Sequence, residues 1–201
     1  RFLYKGYYKF SGDFWSQVGE CRSENEGRET YHYVNRSVLP NAYINEYLID
    51  EAEGFAGKVV AITDKEIRIL DFGYERLMHR HAWGIHPKNV YQAMAMQALM
   101  DPNIDLVVLT GPAGCGKTLI ALAAALELVI EKGMYDKVIV TRNTPEIAES
   151  IGFLPGTEEE KMAPWMGAFE DNLEVLNKPD PSSGDWGRSA TTDLIRTKIR
   201  I

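Results

Sequence analysis

Gly111-Pro112-Ala113-Gly114-Cys115-Gly116-Lys117-Thr118 has the spacing G-x-x-x-x-G-K-[ST]. What flanks it decides how it is read. Residues 104–110 form a continuous apolar run with β-branched members, the pattern of a buried parallel strand. Residues 117–132 place Leu119, Leu122, Leu126, Val129 and Ile130 at three- and four-residue spacings, which predicts a helix with one apolar face. Gly133 supplies its stop. Residues 138–141 read as a second strand. Strand, helix and strand make a βαβ unit with an expected right-handed crossover. The expected fold class is therefore α/β, a P-loop core built on a parallel sheet.

Each position of the loop has a physical task. Gly111 lets the chain leave the strand sharply, and Gly116 leaves room for a phosphate to approach the backbone. Backbone N–H groups of residues 111–118 can line an anion nest, and the helix beginning at Lys117 adds its positive end. Lys117 is placed to reach β- and γ-phosphates, and the Thr118 hydroxyl to ligate Mg²⁺. Cys115 reads as a small filler of the loop. The implied ligands are the phosphates of a nucleotide and Mg²⁺; kinases, GTPases, helicases and motors share such a loop.

Bulk properties narrow the rest. The chain has 201 residues, 45% of them hydrophobic and 25% charged, with a net charge of −7. A chain of this size buries roughly 70% of its unfolded surface, enough for a real core. The charge is uneven: residues 1–100 hold 12 Lys/Arg and 13 Asp/Glu, residues 101–201 hold 10 and 16. A nucleic acid would meet a local basic strip and not a field of the whole molecule. No run reaches the ~18 apolar residues of a membrane span. Two cysteines, Cys21 and Cys115, make neither a disulfide framework nor a CxxC site, and a reducing cytoplasm is the expected setting. The chain opens on Arg1 without a signal or transit pattern, which reads as a piece of a longer protein.

Outward from the loop the pattern changes near Trp83. Residues 1–86 read as a β-rich domain, a small barrel or meander, with strands expected in 2–10, 31–34, 42–49, 59–62 and 67–70. Residues 63–65 mark a hairpin turn. Residues 87–201 form the second domain, opening with a helix from Pro87 and Asn89 to about Met100.

A wider set of residues carries a family resemblance. Trp83-Gly84-Ile85-His86-Pro87-Lys88-Asn89 leads to Gln92, then to the loop, then to Val138-Ile139-Val140-Thr141-Arg142. Gly152-Phe153-Leu154-Pro155-Gly156, Glu160-Lys161 and Pro164-Trp165 follow. This ordered set resembles the PhoH-like ATPases, closest to the bacterial branch with an N-terminal PIN nuclease domain. The resemblance spans residues 83–176, and more weakly residues 1–82. It implies ATP as the nucleotide, and a RecA/helicase-like ATPase core that acts on RNA, single-stranded RNA in particular, as a homo-oligomer, with a hexameric ring as one form of it. It also implies that the nuclease cluster precedes Arg1 and that the Walker B acid follows Ile201. Asn143 departs from the proline usual in the family after the Thr-Arg pair.

Other residues have two readings each. Gln92 suits adenine, whose N6 and N7 a side-chain amide can pair with, and equally suits a capping box with Asn89. Arg142, at the end of the second strand, could meet RNA phosphate or the γ-phosphate, or lie in solvent. Lys161 and Trp165 could line an RNA path or pack a helix. His79, His81 and His86 lack the further ligands a metal site needs. Tyr4, Tyr7, Tyr8, Phe10, Phe14 and Trp15, with Lys5 and Lys9, could stack on single strands, but a β core is the better reading. Arg188, Arg196, Lys198 and Arg200 form a basic tail. Two rival functions remain: a small-molecule P-loop kinase, and a nucleotide-gated assembly module without turnover.

Overall fold

The computed structural model describes residues 4–141, 171–176, 193–195 and 197–200. The chain divides into two compact units. One comprises Arg1–Arg80 with His86–Gln97, the other His81–Ile85 with Ala98–Ile201.

The first unit is built on six strands: β1 (Tyr7–Lys9), β2 (Arg22–Glu26), β3 (Glu29–Asn35), β4 (Tyr47–Asp50), β5 (Phe55–Ile62) and β6 (Glu66–Asp71). Their order in the sheet is β1-β4-β5-β6-β3-β2. All pairings are antiparallel except β1 with β4. Residues 63–65 do make the expected hairpin turn, closed by the Thr63 N–H donating to the Glu66 carbonyl at 2.9 Å. Strand alternation sets the faces. On β3, His32 and Val34 are buried, while Tyr31 and Tyr33 lie on the other face under the guanidinium groups of Arg68 and Arg22.

One strand escapes the sequence signal. β2 reads RSENE and has no apolar member. It pairs with β3 at the sheet's edge, where a charged strand resists pairing with another chain. Two short helices, α1 (Phe14–Val18) and α2 (Tyr74–Met78), are likewise unmarked by periodicity, since five residues show too little of it.

The core of this unit gathers Phe10, Phe14, Val18, Val34, Leu48, Phe55, Val59, Ile67 and Ile69. Phe14 stacks on Phe55 with ring centroids 3.8 Å apart. Of the early aromatics, Phe10 and Phe14 are core residues and Tyr4 and Tyr8 are exposed. Packing is tight enough that a Cβ on Gly57 would lie 2.7 Å from Ile69 Cγ2 and 2.8 Å from Phe55 Cζ. Two polar side chains buried inside, His32 and Asp50, are paired. His32 bridges Ser23 Oγ, 2.7 Å from Nδ1, and Asp71 Oδ2, 3.0 Å from Nε2. The fully buried Asp50 carboxylate accepts from the backbone N–H groups of Gly12, Asp13, Phe14 and Glu53.

Helix α3 (Val90–Leu99) follows. In the second unit, helix α4 (Lys117–Leu126) continues as a π-helical turn, Glu127–Glu131. Leu122, Leu126 and Val129 of the expected apolar face are buried, and Leu119 and Ile130 are half-buried. The helix ends at Glu131, two residues before Gly133, and the Met134 N–H donates back to the Leu128 carbonyl. Strand β7 (Val138–Ile139) pairs in parallel with β8 (Ile199–Arg200).

Residues 104–110 depart from expectation. They form no strand ladder among the described residues, and Leu106 and Val108 are 80% and 73% exposed. The apolar run states what the segment would bury. A strand also requires neighbours to exchange backbone hydrogen bonds with, and no described segment supplies them. The architecture observed is α/β: the first unit carries a mixed, mostly antiparallel sheet, and in the second unit β7 and β8 pair in parallel.

Candidate phosphate-binding site

The loop and the helix after it are one local device. Gly116 is the N-cap of α4 with φ 88° and ψ 11°, a left-handed conformation that a Cβ would strain. It allows the chain to turn directly into the helix, whose first intrahelical bond runs from the Ile120 N–H to the Gly116 carbonyl at 2.9 Å. The N–H groups of the first turn have no carbonyl within the helix to pair with, and they carry the positive end of its dipole. Gly111, with φ 153°, meets a second constraint: a Cβ there would lie 3.0 Å from Cys115 Sγ. Cys115 is half-buried and fills the loop from inside, the role its size suggests.

Lys117 is folded across the loop. Its Nζ donates to the carbonyls of Gly111 at 2.9 Å and Pro112 at 2.7 Å, and lies 3.5 Å from Cys115 Sγ. The ammonium thus ties the first residues of the loop to the helix start. Residues 111–114 are exposed, and so is Thr118 on the first turn. Eight consecutive residues therefore present a cation, a helix N-terminus and an exposed hydroxyl together. Such a set holds a phosphate by charge and by N–H donors, and offers a hydroxyl to an oxygen-seeking cation.

Gln92 takes part in the start of α3. Its backbone N–H donates to Asn89 Oδ1 at 3.0 Å, and its Oε1 accepts from the Lys88 N–H at 2.7 Å. This is a reciprocal cap in the style of the capping box. Arg142, Gly152 to Gly156, Glu160, Lys161, Trp165 and Arg188 lie outside the described residues, as does Arg196. Lys198 donates to the Asp136 carbonyl at 3.3 Å. Among the described residues no group of three His, Cys, Asp or Glu could hold a metal ion.

Two residues stand out in the structure that the motif does not name. Trp83 has φ 49°, and its backbone N–H donates to Glu127 Oε2 at 3.0 Å. The only sequence signal for Glu127 is that it is the one acid within the apolar stretch 117–130.

Fold and loop together define an α/β protein of the P-loop nucleotide-binding class. Comparison with known proteins makes this specific. The family model described as PhoH-like protein matches residues 84–190, and the chain belongs to the PhoH-like family, a family of P-loop proteins of ATPase type. Protein PhoH2 of Bacillus subtilis is 44% identical over 137 residues, which is 67% of this chain and 30% of the relative. Protein PhoH2 of Mycolicibacterium smegmatis is 40% identical over 122 residues, 60% of the chain and 28% of the relative. Protein PhoH of Escherichia coli K12 is 47% identical over 69 residues, 34% of the chain and 19% of the relative. The chain thus spans less than a third of the length of these curated relatives. No solved structure matches it. No helix among the described residues is long and apolar enough to cross a membrane.

Proposed function

We propose that residues 111–118 bind the phosphates of ATP, and that the chain is the ATP-binding part of an enzyme that acts on RNA. The observation that carries the first half is the loop itself: left-handed Gly116 opening α4, with the Lys117 ammonium drawn over the loop mouth. On binding, Lys117 exchanges carbonyl oxygens for phosphate oxygens. Thr118 is the residue that would hold Mg²⁺, and the ion would supply charge neutralisation across the β- and γ-phosphates. Family membership supports ATP as the nucleotide.

The finer parts of the reading rest on resemblance. They are a parallel RecA-like core, a helicase acting on single-stranded RNA, linkage to a PIN nuclease, a cytoplasmic setting and a homo-oligomeric, hexameric assembly. Within it Arg142 meets RNA or the γ-phosphate, and Gln92 meets adenine by giving up its cap.

The test is ATP hydrolysis with and without single-stranded RNA, in this chain and in a longer protein containing it, each also as Lys117→Ala. Losing an ammonium that makes charged hydrogen bonds of about 1.5–3 kcal/mol each weakens nucleotide affinity by about tenfold or more. Turnover in the longer protein is expected to rise with RNA and to vanish in the variant. Hydrolysis unchanged by Lys117→Ala refutes the site. Turnover indifferent to RNA, with transfer to a metabolite, supports a kinase, and ATP-dependent assembly without turnover supports an assembly module.

A further inference from the structure

We infer that Glu127 and Trp83 form a latch that positions the P-loop helix, which makes Glu127 a positioning residue for nucleotide binding; this rests on the nucleotide reading of residues 111–118. The latch begins in a tight two-residue turn. The Ala82 N–H donates to the Ile85 carbonyl at 3.1 Å and the Ile85 N–H to the Ala82 carbonyl at 2.8 Å. The central residues, Trp83 and Gly84, have φ 49° and 72°. Both positive values are what a type I′ turn demands.

Glycine accepts that demand freely, and tryptophan does not. A bulky side chain at positive φ is an outlier that persists only where its surroundings over-determine it. The other such residue among those described is Asn45, of a type that tolerates the conformation. Trp83 spends both of its donors on being held. Its backbone N–H goes to Glu127 Oε2 at 3.0 Å, and its indole N–H to the Leu176 carbonyl at 3.2 Å. All three residues belong to the same compact unit.

The position of Glu127 gives the latch its consequence. α4 starts at Lys117, and Glu127 begins the π-helical turn that continues it. Ten residues of helix place the two about 15 Å apart on one rigid rod. A π turn interrupts the regular ladder, so it is where a helix can be redirected, and such turns gather at functional sites. A carboxylate gripped there fixes both the rotation and the axial position of α4. The other end of α4 carries the Lys117 ammonium and the N–H groups of the loop. A Glu needed only for solubility would stand free in solvent. This one is half-buried and spends an oxygen on a strained turn.

The test compares Glu127→Ala, which removes the acceptor, with Glu127→Gln, which keeps an oxygen in its place. Two readouts are taken: affinity for a fluorescent ATP analogue with Mg²⁺, and amide hydrogen exchange of residues 83–85 and 117–131. Glu127→Ala is expected to weaken binding about fivefold, the scale of coupling for a residue that does not touch the ligand, and to speed exchange in both segments. Glu127→Gln stays within about twofold of the parent on the same scale. If Glu127→Ala does not fold, Glu127→Asp, one methylene shorter, is expected to shift both readouts in the same direction. Parental binding and exchange in Glu127→Ala overturn the latch. So does a loss in Glu127→Gln as large as that in Glu127→Ala, since the acceptor would then be irrelevant. Lys117→Ala separates the two ideas: if it binds the analogue as the parent does, the nucleotide reading fails, and the exchange data alone decide whether Glu127 holds the turn.

Discussion

Asp50→Asn is the substitution whose cost can be worked most directly from the structure. The carboxylate is fully buried and joins the segment before α1 to the turn after β4. Oδ2 accepts from Gly12 at 3.0 Å, Asp13 at 2.9 Å and Phe14 at 3.0 Å, while Oδ1 accepts from Gly12 at 3.0 Å and Glu53 at 3.3 Å. An asparagine must turn its NH2 toward one of these sets of donors. The better choice keeps Gly12, Asp13 and Phe14 on the oxygen and abandons Glu53. The three bonds retained fall from the charged class, about 1.5–3 kcal/mol each, to the neutral class, about 0.5–1.5. One donor is left unmet for about 1 kcal/mol more. The sum is about 4–5 kcal/mol, a large part of the stability of a small domain. Urea unfolding at pH 7, with amide exchange in β4 and α1 to assign the loss to the first unit, measures it.

The pH dependence is a second arm of the same experiment. Burial pushes the Asp50 carboxyl up, but the N–H groups of Phe14, Glu53, Gly12 and Asp13 outweigh it and hold the group below its usual value. The folded value therefore lies below the unfolded one. The carboxylate's contribution is complete above the unfolded value, about 3.9, and is lost as pH falls through the folded one. The gap between parent and Asp50→Asn should be constant at neutral pH and close only below about pH 4. A cost under about 1 kcal/mol, or a gap that persists undiminished in strong acid, would refute the reasoning.

Two more predictions concern the same unit. Gly57→Ala should destabilise it by about 1–3 kcal/mol, because the new Cβ meets Ile69, Phe55 and, at 3.1 Å, the Leu70 carbonyl; an unchanged urea midpoint would mean that the core yields more than its packing implies. Tyr31 donates its hydroxyl to Glu29 Oε2 at 2.6 Å, and this bond, with burial and the nearby acid charge, pushes its pKa up to about 12. Spectrophotometric titration should find a late-ionising tyrosine that Tyr31→Phe removes. Its contribution to stability is present below the unfolded value of about 10 and is lost as pH rises toward the folded one.

The loop, its helix and the family were legible in the sequence because they are local. Residues 111–118 carry their conformation in glycines at set spacings and their chemistry in Lys117 and Thr118. The helix after them shows itself by periodicity. Hairpin β5–β6 was legible for the same reason, since a turn and two alternating runs lie within a few residues. Other features depended on distant partners. β2 has no apolar pattern and is a strand only because β3 offers it a ladder. Residues 104–110 have the apolar pattern and no described ladder. Local composition sets what a segment can bury, while strand pairing is an exchange of hydrogen bonds between segments far apart in the chain. Gln92 was open between two uses, and the structure records the cap. Trp83 and Glu127 stand 44 residues apart, and nothing in either neighbourhood names the other. Their meeting, like the nest of N–H groups around Asp50, was decided only when folding brought a donor and an acceptor together out of water, where neither can remain unpaired without cost.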